Sequence, residues 1–508
     1  MAATTVDGGA AEPAVDDDPA TGAGATPSRL GVRDPTLATG VAAVLVLTGF
    51  IVGARPIADN SFLTHLATGR LIIESGSVPV ADPYSALAAG EPWTVQSWLV
   101  SALYAVLDGT LGGWSIRVVH GLAGAAVVAG TWRLVAPARQ LVTRAALTGL
   151  VLLVGTFLWS PRPLMLGLVA MVLCLQVVQG IRPRWWLVPL FWVWVNAHGS
   201  FVLGLAVVGA VVVGSAIDQR RLPRDELRTA ATAVVGCAVA ALNPVGWRLL
   251  WFPFQLMGRS ETLDRVAEWA SPSFRAPVEQ LWLLLLPLVV LAARRGAGWR
   301  SLLPAIVFVV AGLLAVRNLG LASIVIVGLA GPALAGVVGT LDGSIRGLVP
   351  RALVAVAAVG AVLATATVAT ASPIDLDDYP IDEIDWLEER GLVADPDVLV
   401  AQRDFVGNLL TLRYGTEARV FMDDRFDFHP RAVIADHNTL LAAGDFDEIV
   451  ARNGFDVLLW ERGGALERWV EDRSAWVIVT GSDDWFVACR TTSPVADRCL
   501  VPAPTSSD

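Results

Sequence analysis

The chain has 508 residues, 54% of them hydrophobic and only 17% charged, with a mean hydropathy of +0.58. This is more apolar material than one soluble core uses, so the composition predicts a membrane protein. The net charge of −10 comes mainly from the two ends and speaks against a nucleic-acid partner. All 37 basic residues are arginine, a compositional bias from which no binding follows.

Residues 1–34 are acidic and small, with almost no large apolar groups to offset the entropy of ordering, and predict a disordered tail. They carry no basic region followed by a short apolar stretch and a cleavage site, so 36–54 reads as a retained first span.

The loop from Arg55 to Trp93 is too polar for lipid, yet is closed in by apolar runs. It belongs at the membrane surface over whatever the spans enclose. Asp59-Asn60-Ser61 is able to cap a helix of about four turns with Phe62, Leu66, Gly69 and Ile73 on one face, a spacing suited to lying flat on a bilayer. His65 and Arg70 fall on the opposite edge, and Asp82-Pro83-Tyr84 places a second carboxylate in a turn.

Apolar runs near the roughly 20 residues a bilayer demands follow at 36–54, 94–111, 115–135, 142–159, 163–180, 185–197, 200–217, 229–245, 279–293, 301–316, 318–340 and 351–371. The runs 185–197 and 200–217 fit either a tight hairpin or one long broken helix. The expected fold class is an α-helical polytopic membrane protein of about 11–13 transmembrane helices with a C-terminal extracytoplasmic α/β domain.

Arginine sets the expected orientation. The basic loops 182–184, 220–228, 294–300 and 346–351, with Arg133, Arg139 and Arg144, are placed in the cytoplasm. Residues 372–508 then lie outside, as do the first loop, Arg162, His198, the loop 246–278 and Arg317. A cytoplasmic N-terminus with an outside C-terminus needs an odd number of crossings, whereas twelve runs are counted. Either one run within 94–135 does not cross, or a boundary is displaced.

After Ser372 acidic residues crowd the chain and a soluble domain is expected over 372–508. Strand-like runs at 398–401, 418–422, 457–460, 476–480 and 485–489 alternate with helix-like segments at 380–392, 430–442 and 445–453, which predicts a small α/β fold. Cys174 and Cys237 read as buried small hydrophobes. Cys489 and Cys499 either close a disulfide in an oxidising compartment or stay reduced. No Cys and His arrangement has zinc-site spacing, no glycine-rich phosphate loop is present, and a divalent metal is not indicated.

A carboxylate partly withdrawn from water is able to take a proton from a hydroxyl nucleophile, and an arginine to stabilise a departing phosphate. Asp59, Arg162 in SPRP, His198 in WVNAHGSF, Glu268 in AEWASPSF and Arg317 in VRNLG fall at helix ends on one expected side. Each also has a plain structural use. Asp59 suits a helix cap, Asp82 a turn, His198 a hairpin, Arg162 and Arg317 contact with headgroups, and Glu268 the neighbourhood of an interfacial Trp269. The Asp423-Asp424-Arg425 run reads as a solvated strand end.

The order ADNSFLTHLATGRLI, VADPYS, SPRP, WVNAHGSF, LNPVGWR, AEWASPSF, VRNLGL resembles the polytopic membrane glycosyltransferases of the C-type fold, in particular bacterial relatives of protein O-mannosyltransferases and arabinose transferases. The resemblance covers 36 to about 340, and VFMDDRFDFHP and FDVLLWER resemble the outside domain attached to that bacterial group. It implies transfer of a sugar from a polyprenyl-phosphate donor to an extracytoplasmic glycan, lipid or protein acceptor, in a cell membrane whose lipids surround the spans. Asp59 matches the first-loop acidic residue, which the resemblance gives as base or metal contact, and is the expected base. Asp82, His65, Arg162, His198, Glu268 and Arg317 are the expected substrate-binding residues. Where the family often has an acidic pair, this chain has one carboxylate. The alternative is a non-catalytic membrane protein, or a lipid-linked glycan transporter, with an exported binding domain.

Overall fold

The computed structural model describes residues 34–258, 268–337, 339, 341–442 and 444–500. The tail expected over 1–34 lies outside the described residues, apart from Asp34. Among the described residues each of the twelve apolar runs contains a helix, beginning with α1 (Leu37–Gly53) and, beyond α2 (Ser61–Ser75) in the first loop, α3 (Trp98–Leu111) and α4 (Trp114–Leu134). Five of the helical stretches are long and apolar enough to cross a bilayer by themselves: 141–158, 201–219, 277–294, 316–334 and 348–370.

The packing resolves the crossing count. α1 and α4 lie antiparallel at close range, with Gly49 against Gly124 and Gly53 against the His120 carbonyl. α3 does not run between the ends of the bundle. Its start is tied to Asn196, which accepts from Trp98 Nε1 at 2.8 Å. Just past its end, Gly113 meets Pro373, which directly follows the last helix of the bundle. Both belong to the end where α1 stops, because Arg117 donates to the carbonyls of Ala54 and Ser372 at 3.0 Å each. With α3 set aside, eleven helical passes remain, the odd number the charge pattern requires. The segments 187–197 and 201–219 form a hairpin, since Gly204 packs against Phe191 and Trp194 across the break at His198–Ser200.

The arginine-rich turns gather at the opposite end. Arg300 reaches Glu226 (3.2 Å) and the Val178 carbonyl (2.6 Å), and Asp218 accepts from the amides of Trp299 and Arg300 at 2.8 Å each.

The face of α2 expected to lie on lipid is instead packed on protein. Phe62, Leu66 and Gly69 are buried, and only Ile73 stays open, at 52% exposure. A Cβ on Gly69 would stand 1.8 Å from the Ser101 carbonyl oxygen, so this glycine lets α2 lie directly on the α3 backbone. Arg70 holds the same pair together through Asp108 at 2.8 Å.

Residues 372–500 build an α/β layer on this end of the bundle. Its mixed sheet has the order β1 (Val400–Gln402), β2 (Val457–Glu461), β4 (Trp485–Arg490), β3 (Trp476–Gly481), with β1 parallel to β2 and the other pairs antiparallel. The expected helices appear at 381–389, 431–441 and 446–453, and Asp404–Tyr414 adds a further one. The run 418–422 is no strand of this sheet. Its backbone turns to the first loop, where Val420 donates to the Tyr84 carbonyl and Ala86 donates to that of Val420, both at 2.9 Å. Cys489 and Cys499 are joined in a disulfide. One apolar core runs through both layers, uniting Ile57, Phe62, Leu66, Val100 and Tyr104 with Ile384, Val406, Leu409, Val457 and Val487. The first loop is thereby packed as part of the soluble layer.

Candidate active site

Asp59 sits in the turn between α1 and α2, anchored by backbone pairing of Ile57 with Ile374. Its two oxygens have different uses. Oδ1 accepts from the Ser61 amide at 3.1 Å and from the Ser61 hydroxyl, which starts α2. Oδ2 accepts from Ser160 Oγ at 2.9 Å and lies 3.3 Å from Arg162 Nε. The prolines of Ser160-Pro161-Arg162-Pro163 stiffen this turn between two passes and fix where Arg162 stands.

Arg162 Nη2 donates to Glu268 Oε1 at 2.6 Å. Its buried Nε–H, although close to Asp59, has no aligned acceptor. The segment that carries Glu268 is itself bonded to the turn before the helix at 319–330. Arg317 donates from its amide to the Glu268 carbonyl, and Val316 to that of Ala270, both at 3.0 Å. The Arg317 guanidinium lies 4.1 Å over the Trp269 ring and within the fields of Glu268, Arg162 and Asp427.

His198, extended at the hairpin tip, accepts the Ser200 amide on Nδ1 at 3.1 Å. Burial, with Arg317 and Arg162 facing it, holds its pKa well below the ordinary histidine value, so it is a neutral ring. His65, on α2, meets Ser101 Oγ at 3.0 Å and is lowered to about 4, mainly by burial, against the pull of Asp59. For Asp59 itself burial acts upward, but Arg162 and the bonds from Ser61 and Ser160 outweigh it and hold the carboxyl below the usual range.

Six of the residues expected from sequence thus converge: Asp59, His65, Arg162, His198, Glu268 and Arg317. Asp82 does not join them. Its side chain is fully buried, taking the Ser85 amide at 2.9 Å and the Arg425 guanidinium at 2.5 Å. Arg425 is in turn bonded to Asp423 (2.6 Å) and stacked beside Trp93 (4.6 Å), and His429 Nε2 meets Asp423 Oδ1 at 2.8 Å. Asp82 therefore fastens the first loop to the soluble layer.

The Asp423-Asp424-Arg425 run, expected as a solvated strand end, is folded inward over the cluster. Its middle member is a residue the sequence reading missed. Asp424 donates its amide to Asn408 Oδ1 at 3.3 Å, the same atom that receives the Thr64 hydroxyl at 2.7 Å, and it lies in the field of Asp59 and Arg162. Burial first, then Asp423 and Asp59, push its carboxyl well above the ordinary range. Two carboxyls whose pKa values are driven in opposite directions, Asp59 downward and Asp424 upward, therefore face one centre. The density of carboxylates around an arginine was the available signal. Its burial was not visible without the fold. Among the described residues no three His, Cys, Asp or Glu groups are placed together as metal ligands.

This arrangement stands on a polytopic helical bundle with an α/β layer over one end, a fold similar to that of a solved oligosaccharyltransferase. The crystal structure of the Archaeoglobus fulgidus oligosaccharyltransferase in the apo form superposes with a TM-score of 0.54 over 83% of this chain and 69% of that chain, at 10% identity. At that identity the likeness concerns the fold. No family model and no curated protein matches the sequence.

Proposed function

We propose that this chain is an inverting membrane glycosyltransferase, of the kind represented by bacterial protein O-mannosyltransferase and arabinose-transferase relatives, which moves a sugar from a polyprenyl-phosphate donor to an extracytoplasmic acceptor. The observation that carries this reading is the unmatched buried Nε–H of Arg162 beside Asp59, with Arg317 close by. Two guanidinium groups at a bundle mouth, one of them with a donor to spare, suit a lipid phosphate better than they suit each other.

Asp59 is a weak base while Arg162 faces it. A donor phosphate that draws on the same guanidinium loosens that ion pair and raises the basicity of the carboxylate when the acceptor is to be deprotonated. The proton moves late, after the acceptor oxygen has begun to bond to the anomeric carbon and its hydrogen has become acidic. Arg162 and Arg317 stabilise the charge left on the phosphate. The lipid end of the donor lies among the surrounding passes.

The test is turnover of labelled polyprenyl-phosphate sugars by the full chain, wild type beside Asp59→Asn. Transfer by wild type and a loss of about 10²–10⁴-fold in the variant is expected. Equal transfer by both removes Asp59 from the mechanism. No transfer by wild type with any such donor favours the non-catalytic or transporter reading.

A further inference from the structure

A cavity of about 440 Å³ lies next to the cluster, within the range of roughly 300–1,000 Å³ that small-molecule sites occupy. Three parts of the chain wall it. The first loop supplies Trp93, the short helix Arg248–Met257 and the residue before it supply Trp247, Arg248, Trp251 and Gln255, and the soluble layer supplies Asp427. Pro253 of the same helix stands 3.7 Å from where a Cβ on Gly199 would be, next to His198, so the cavity and the cluster are neighbours.

Its chemistry is mixed in a particular way. Trp93 is a fixed wall, held edge-on by Phe428 with ring centroids 6.3 Å apart and from the side by Arg425. Trp247 and Trp251 are 67% and 53% exposed, leaving open rings where an apolar face would dock. Arg248 and Gln255 have no ion-pair or hydrogen-bond partner among the described residues, and both are exposed at the cavity. Flat rings interleaved with unengaged donors and a carboxylate match a sugar, whose C–H faces pack on aromatic rings while its hydroxyls bond at the edges. An acyl chain would leave the guanidinium and amide without use.

We infer that this cavity is a saccharide-binding subsite that holds the neutral sugar end of the acceptor beside the Asp59–Arg162 cluster. It rests on the transferase reading only for the word acceptor, because binding is measurable without any donor. The experiment titrates the purified full chain in lipid nanodiscs with neutral hexose and pentose oligosaccharides of two to six units, followed by tryptophan fluorescence and calorimetry. At least one oligosaccharide is expected to bind wild type. Trp251→Ala should weaken it by about tenfold or more, Trp251→Phe should restore most of the loss, and Trp185→Ala, at an exposed tryptophan in the arginine-rich turns of the opposite end, should leave it unchanged. Absence of binding to wild type, equal binding by Trp251→Ala, or displacement of the sugar by a short polyprenyl phosphate overturns the assignment. Binding with no transfer sinks only the enzymatic reading, and transfer with no binding here sinks only this one.

Discussion

Asp59 illustrates how one side chain serves two purposes without compromise, since a carboxylate has two oxygens. Oδ1 starts α2 and Oδ2 belongs to the cluster. The depressed pKa has a kinetic signature. Under the proposed transfer reaction, the depressed pKa of Asp59 places the acid limb of kcat/KM below the ordinary carboxylate value of about 4. Once donor phosphate shares Arg162 the carboxyl regains affinity for protons, and the acid limb of kcat should lie at higher pH than that of kcat/KM. Coincident limbs in a pH–rate series would show that the phosphate does not draw on Arg162. Asp423 gives a stability prediction of definite sign. Burial alone would raise its pKa, but Arg425 and His429 outweigh it and hold it low, so the folded chain binds fewer protons than the unfolded one in acid. The stabilisation is present above the unfolded value of about 4 and is lost as pH falls through the folded value. Arg425→Met leaves Asp82 and Asp423 buried without their cation and should lower stability by about 3–5 kcal/mol, measured by thermal or denaturant unfolding in detergent.

At the scale of elements, the first loop is decided by contact with its neighbours. α2 has the spacing of an interfacial helix, and α3 the composition of a span, yet each covers the other. Gly69 permits this, because its missing side chain is replaced by the backbone of Ser101. Gly407 does the same for the helix at 404–414, where a Cβ would stand 1.9 Å from the Met422 carbonyl oxygen. Gly69→Val should force α2 off α3, displace Asp59 and His65 together, and abolish transfer while leaving the passes inserted. Gly76→Ala, in open space at the end of the same helix, is the contrasting variant, its cost confined to the strain of a left-handed residue at φ 65°. Limited proteolysis of the 55–93 loop in the two variants is the measurement, with accelerated cleavage expected for Gly69→Val.

For the whole molecule, eleven passes put the α/β layer and the arginine-rich turns at opposite ends, so sidedness follows from a single label. A membrane-impermeant maleimide should reach a cysteine placed at exposed Asp483 in intact cells and fail to reach one at exposed Arg221. The reverse pattern would turn the cluster toward the cytosol and remove an extracytoplasmic acceptor from consideration.

Much of this was legible in the sequence for simple reasons. Length and continuity of apolar runs determine that helices must satisfy their own backbone in lipid, and so the helical runs could be read directly, though not their limits, as 229–245 against Arg224–Ala240 shows. Arginine placement determined the ends of the bundle, and the order of short polar motifs pointed to six members of the cluster. What sequence could not supply was contact across long separations. That α3 lies along α2 instead of crossing, that Asp82 is spent on Arg425 about 340 positions away, and that Asp424 turns inward over Asp59 are outcomes of close packing. Packing depends on which surfaces meet, and local composition carries no record of that.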